Sequence, residues 1–318
     1  MALWSAEIRG IEDLNQAVAG ADLEIVPLAP GPLQGRLFHA PIDTVCLSAG
    51  EFGSSIRARG LMNAEQVTIG MMLETDGCWQ WSWDTRPGDA VLFPSGSEQE
   101  GRFIGRSAYA TVSLPVDRLA ALFATEPDLG DPAFWSRIRH CRPPIEVQAH
   151  TARIVGRMVA AVRGGAADLP GRGAALFGRA IVEAFATGIL MQQPERGGEY
   201  PESRLIRSVE DLVRARSAEP LHISQICAEL GVSRRSLQRA FARTLGIGPA
   251  TYLRNRRLGQ VRTALQRGDG KGRSIASLAF DHGFWDSGRF ARAYRAMFGE
   301  MPSETRALRQ RSAAGLAV

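Results

Sequence analysis

The sequence predicts an α+β protein of two domains, a β-barrel with flanking helices followed by an all-α domain that holds two helix-turn-helix units. Three observations carry this. Short apolar or alternating runs fill residues 22–114, apolar residues recur at helical spacing after Pro115, and the last third of the chain repeats one helical pattern. A length of 318 residues suits two domains of ordinary size.

The barrel strands are DLEIVPLA (22–29), LQGRLFHA (33–40), IDTVCLSAG (42–50), QVTIGMML (66–73), WQWSW (79–83), DAVLFP (89–94) and AYATVSL (108–114). Many short strands punctuated by Gly, Pro and Asp argue for a sandwich or barrel. Trp79, Trp81 and Trp83 alternate, so one strand would place all three on one face, to line an effector pocket or to pack in the core. Leu119, Leu122 and Phe123 fit a short helix. Ile154, Val155, Met158, Val159 and Val162 form one apolar helical stripe, and Leu176, Phe177, Ala180, Ile181, Ala184, Phe185 and Ile189 form a second. Helices over 152–162 and 176–190 would pack on the barrel and each other, or form a dimer seam. The first domain is then residues 1–192, with the barrel over 22–114 and helices over 116–191. Residues 193–202, polar and rich in Pro and Gly, form a linker.

Residues 203–311 make the second domain, and the repeat within it is specific. Ile223, Ile226, Cys227 and Gly231 match Ile275, Leu278, Ala279 and Gly283 at an offset of 52. Leu237, Arg239, Phe241, Leu245, Gly246 and Pro249 match Phe290, Arg292, Tyr294, Phe298, Gly299 and Pro302 at an offset of 53, so the second turn holds one extra residue. Each copy has an apolar face on a short helix, a glycine where the chain reverses, and a second helix with apolar residues four apart. The units are expected over 223–244 and 273–296, with Ser233 capping the second helix of the first. That geometry leaves Arg234, Arg235, Gln238, Arg239 and Arg243 outward on one recognition helix and Ser287, Arg289, Arg292 and Arg295 outward on the other. Arginine and glutamine can read guanine and adenine edges bidentately, and arginine also contacts phosphates. A connecting helix from Ala250 to Gln266 would measure roughly 25 Å and hold the two heads near the spacing of successive major grooves, about 34 Å.

Charge supports this division. Residues 201–318 hold 21 Lys and Arg against 10 Asp and Glu, a balance of +11, whereas residues 1–200 hold 17 against 23, a balance of −6. A basic module joined to a mildly acidic one suits a nucleic-acid binder carrying a second function. Nearly all the positive charge is arginine, Lys271 being the single lysine. Cys46, Cys78, Cys141 and Cys227 are scattered and lack metal-ligand spacing, and His39, His140 and His150 are unpaired in sequence. No metal or cofactor is expected, and no nucleophile elbow, phosphate loop or paired carboxylates argue for an enzyme. No continuous apolar run approaches the roughly 18 residues of a membrane span, and the amino terminus lacks a secretory pattern, so a cytoplasmic protein without membrane contact is expected.

GVSRRSLQRAFARTLGIGPATYLRNRRL (231–258) and IASLAFDHGFWDSGRFARAYRAMFGEMPSETR (275–306) resemble the two halves of the AraC/XylS DNA-binding domain. The resemblance covers about a third of the chain, with LQRxF, GxxPxxYL, RL, GF, FG and PSxxR in register. It implies a seven-helix domain that contacts promoter DNA, with Arg235, Gln238 and Arg239 in one head and Ser287, Arg289 and Arg292 in the other. Transcription regulation, RNA polymerase as a partner, activation in response to a small effector and a homodimer are what the family implies. RPGDAVLFPSG (86–96) is similar to the strand-turn-strand of cupin-like sensor domains that precede this module in many members. Three positions depart from the family pattern. Gly288 replaces a polar residue, Met301 a threonine and Thr305 a tyrosine. With Asp286 repelling phosphate and Gly288 contacting little, the first head is expected to supply most sequence discrimination, and the second mainly affinity through Arg289, Arg292 and Arg295.

Overall fold

The computed structural model describes residues 4–8, 10–80, 83–126, 128–165, 171–191, 201–216, 221–268 and 273–315. The chain divides into two compact units, one of residues 1–24 and 33–197, the other of residues 25–32 and 198–318.

In the first unit the strands are β1 (Trp4–Ile8), β2 (Asp22–Pro27), β3 (Gly35–Ile42), β4 (Val45–Gly53), β5 (Ile56–Leu61), β6 (Val67–Gln80), β7 (Trp83–Asp84), β8 (Ala90–Phe93), β9 (Glu98–Leu114) and β10 (Arg139–Cys141), the end of β2 passing into the second unit. The main hydrogen-bonded path of the antiparallel sheet runs β1-β3-β4-β9-β6-β8-β10. The first part of β9 pairs with β5 and the second part with β4, while β6 runs beside both and shifts register between Met72 and Glu74 and again between Thr75 and Gly77. Such shifts bend a strand and increase its twist, which coils the sheet.

Alternation sorts the two faces of this sheet. Ala40, Leu47, Ile69, Leu92 and Val112 face the helices α2 (Ile145–Arg163) and α3 (Arg172–Leu190), which follow α1 (Val116–Leu122) and bury Val155, Val159, Val162, Ile181, Val182 and Phe185 in the same core. The apolar stripes of both helices are thus covered within the unit, although Leu176 is exposed. On the opposite face the register aligns His39, Ser48 and Thr111, with Thr68 and Ser113 in the next row. His39 Nδ1 lies 2.8 Å from Ser48 Oγ, and the Thr68 and Ser113 hydroxyls are also 2.8 Å apart. Among the described helices α3 alone matches a membrane span in length and hydropathy, but its apolar side packs on the sheet and its exposed side carries the Arg179–Glu183 pair.

Two features of the sheet differ from the sequence expectation. β5, IRARGL, is a strand outside the expected set, and its two arginines are buried because their charges are neutralised across the sheet: Arg57 pairs with Glu100 at 3.1 Å and Arg59 with Glu98 at 2.7 Å. WQWSW is not one strand. β6 ends at Gln80 and β7 begins at Trp83, with Gln80 opposite Trp83 and Trp79 opposite Asp84. Opposed residues share a face and successive residues alternate, so Trp79 and Trp83 lie on opposite faces rather than on a common one. Trp81 lies outside the described residues.

The second unit contains seven described helices: α4 (Pro201–Ala215), α5 (Ile223–Leu230), α6 (Arg234–Leu245), α7 (Pro249–Arg267), α8 (Ile275–Asp281), α9 (Ser287–Phe298) and α10 (Pro302–Gly315). Two cores correspond to the two repeats. Ile226, Leu237, Phe241 and Leu245 pack with Ile206, Val209, Tyr252 and Leu253, whereas Leu278, Phe290, Tyr294 and Met297 pack with Leu258, Val261 and Leu265. α7 therefore supplies a wall to each head, Tyr252 and Leu253 to one and Leu258, Val261 and Leu265 to the other. Residues 25–32 complete the first core. Val26 and Leu28 are buried in it, the Asn255 side-chain amide donates to the Pro27 carbonyl at 2.9 Å, and the Gly31 N–H donates to the Met297 carbonyl at 3.1 Å. The sequence placed 22–29 wholly in the barrel; its second half belongs here instead.

Candidate nucleic-acid interface

The first head is set by local chemistry. α5 ends at Gly231 in the left-handed conformation, φ +63°, and the Val232 N–H donates to the Cys227 carbonyl at 3.0 Å. Ser233 then accepts the Ser236 N–H at 3.0 Å and starts α6. Burial of Leu237, Ala240, Phe241 and Leu245 fixes the helix by its apolar stripe, which leaves Arg234, Arg235, Gln238, Arg239 and Arg243 exposed together. Among the described residues no carboxylate pairs with Arg234, Arg235 or Arg239, whereas Arg243 reaches Glu202 at 3.3 Å. Gln238 lies over Gly248, where a Cβ would come within 2.9 Å of its Nε2.

The second head repeats the arrangement. Gly283 has φ +78°, and the Phe284 N–H donates to the Ala279 carbonyl at 3.0 Å. Asp286 caps α9, accepting the Arg289 N–H at 2.9 Å with Arg289 Nε 3.4 Å from its other oxygen. The Arg289 N–H first, and the Arg289 and Arg292 charges beside it, hold the Asp286 carboxyl below the ordinary carboxylate range. Its charge thus serves the positive end of the helix and the neighbouring guanidinium, which tempers the expectation that it repels phosphate. Phe290 and Tyr294 face inward, and Ser287, Gly288, Arg289, Arg292 and Arg295 are exposed. Thr305, one of the departures from the family pattern, is buried with its hydroxyl 2.8 Å from the Tyr294 hydroxyl and bonded to Glu300, which pairs with Arg262 at 2.6 Å.

The tryptophans proposed for an effector do not come together. Arg102 lies over Trp79 at 5.0 Å, while Trp83 stacks on His140 at 5.4 Å. His140 belongs to a buried network that the sequence did not reveal. Asp89 has its carboxylate 3.2 Å from His140 Nε2 and 2.9 Å from Arg142 Nη2, and accepts the Gln148 amide at 3.0 Å and the Arg86 N–H at 2.9 Å.

Residues 226–308 match the model of a helix-turn-helix domain family. This matched region is similar to the DNA-binding domain of AraC/XylS-type regulators. The AraC/XylS-type region is 41% identical over 102 residues to the XylDLEGF operon transcriptional activator 3 of Pseudomonas putida, covering 32% of this chain and 30% of that one. It is 37% identical over 105 residues to the XylDLEGF operon transcriptional activator 2 of the same organism, covering 33% of this chain and 64% of that one. The match thus spans less than two thirds of either relative. A solved AraC-type DNA-binding domain protein from Chromobacterium violaceum aligns with 33% of this chain and 92% of its own at 34% identity, with a TM-score of 0.31.

Proposed function

We propose that this protein is a sequence-specific DNA-binding transcription activator whose first unit responds to a small effector. The observation that carries the reading is the pair of matched heads on α7, each presenting an exposed row of arginines, with Arg234, Arg235 and Arg239 unclaimed by carboxylates among the described residues. Helix-turn-helix proteins set such a helix in the major groove, with arginine or glutamine at base edges and further arginines at phosphates. Activation is transferred from the relatives named as operon activators, and RNA polymerase as the partner is what the family resemblance implies. The effector reading rests on the polar sheet face, where Thr111 Oγ1 is buried without a hydrogen-bond partner among the described residues. The protein acts on double-stranded promoter DNA in the cytoplasm as a homodimer.

The test is fluorescence anisotropy of the full chain on the DNA upstream of its own gene and of its neighbours. Binding to one segment that exceeds binding to scrambled DNA by about 10³-fold or more, and weakens steeply with salt, is expected. Equal affinity for all sequences would sink the reading.

A further inference from the structure

We propose that Trp285, braced by Phe280, is an apolar DNA contact of the second head that recognises the C5-methyl group of a thymine in the major groove. The inference rests on the DNA-binding reading and adds a residue and a base to it. Trp285 is 71% exposed and Phe280 is 55% exposed, and their rings meet edge to face with centroids 4.6 Å apart. Of the six tryptophans, Trp285 is the only one in residues 198–318.

The position of Trp285 follows from comparing the two heads. The bonds from Val232 to Cys227 and from Phe284 to Ala279 are equivalent, so the repeats stay in register through those residues. The caps Ser233 and Asp286 are equivalent as well, but one residue further apart. Trp285 is therefore the extra residue of the second turn, inserted immediately before the recognition helix. Residues at the start of a recognition helix are those a helix-turn-helix sets against base edges. In α9 that first turn offers fewer readers than in α6, Ser287 and Arg289 only: Gly288 has no side chain, and Asp286 is engaged at the helix end.

The surroundings favour a duplex as the occupant. Arg289, Arg292 and Arg295 are exposed along the same helix, and on α8 the single exposed carboxylate, Asp281, is paired with Arg273. A flat apolar ring beside three cations matches a groove whose walls are phosphates and whose floor offers thymine methyl groups. The Phe280 ring braces the indole, which limits the rotamer freedom that binding would otherwise remove.

The experiment uses the full chain and its selected DNA site. Trp285→Ala is expected to weaken that site about tenfold and to abolish preference for thymine at one position, while the slope of affinity against salt stays unchanged because no phosphate contact is lost. Trp285→Phe should recover part of the loss. Replacing that thymine with uracil removes only the methyl group, so it should weaken wild-type binding and leave the Trp285→Ala variant unaffected. Wild-type affinity and selectivity in Trp285→Ala would overturn the proposal and leave the aromatic pair to a protein partner. So would a uracil effect of equal size in both proteins. Failure of the wild-type chain to prefer any sequence would instead overturn the DNA-binding reading itself.

Discussion

At the scale of single residues, a buried charge is retained only where its partners are fixed. Asp89 shows this in the first unit. Burial by itself would raise its carboxyl, but hydrogen bonds from His140, Arg142 and the Arg86 N–H outweigh it and leave the carboxyl below its ordinary value. A folded pKa below the unfolded one, about 3.9, means that the contribution is complete above that pH and is lost as acid titrates the folded group. Melting of the first unit should therefore fall as pH drops below about 4. Asp89→Asn should flatten that dependence and cost about 3–5 kcal/mol at neutral pH, because Arg142 then loses its buried counter-charge. Calorimetry of both proteins across pH 3–7 checks it (about the range where carboxylates titrate); an unchanged acid slope in the variant would remove Asp89 as its source. Nothing local announced the network. Asp89 looks like the last residue of a Pro-Gly-Asp turn, and its side-chain partners lie 51 to 59 positions further on.

At the scale of elements, the recognition helices were legible because their determinants are local: a left-handed glycine, a capping side chain and apolar residues four apart. The asymmetry between them is a further consequence. α6 carries Arg235, Gln238 and Arg239 on one surface, whereas α9 has Gly288 at the matching place and three arginines beyond it. Arg239→Ala should cost about 1–3 kcal/mol on the selected site and relax one base position, whereas Arg292→Ala should weaken all sequences alike and reduce the salt slope by about one. Site selection and salt titration on both variants separate these roles, and a loss of base preference in Arg292→Ala alone would reverse them. Elements whose determinants are not local were misread. β5 is hidden by Arg57 and Arg59, whose counter-charges sit on β9, and WQWSW alternates like one strand although Gln80 and Trp83 pair across two antiparallel strands.

At the scale of the whole molecule, the DNA-binding unit is larger than its homology. Residues 25–32 fill the first core, so a fragment of residues 198–318 would expose the apolar surface that Val26 and Leu28 cover. Leu28→Ala in the full chain is expected to destabilise the second unit by about 2–5 kcal/mol. Native-state hydrogen exchange of the α6 and α7 amides reports it; unchanged protection would show that the segment is dispensable. By itself the sequence determined the two-domain order, the double repeat, the Ser233 cap and the exposed arginine rows, because these follow from interactions between residues at most four or five apart and from periodicity. Only the tertiary structure decided that 25–32 joins the distant domain, that Trp79 and Trp83 part to opposite faces, and that Asp89 is buried among His140, Arg142 and Gln148. Those outcomes depend on which surfaces meet after the elements have formed, and the free energy of burying a side chain is a property of that meeting rather than of its neighbours in sequence.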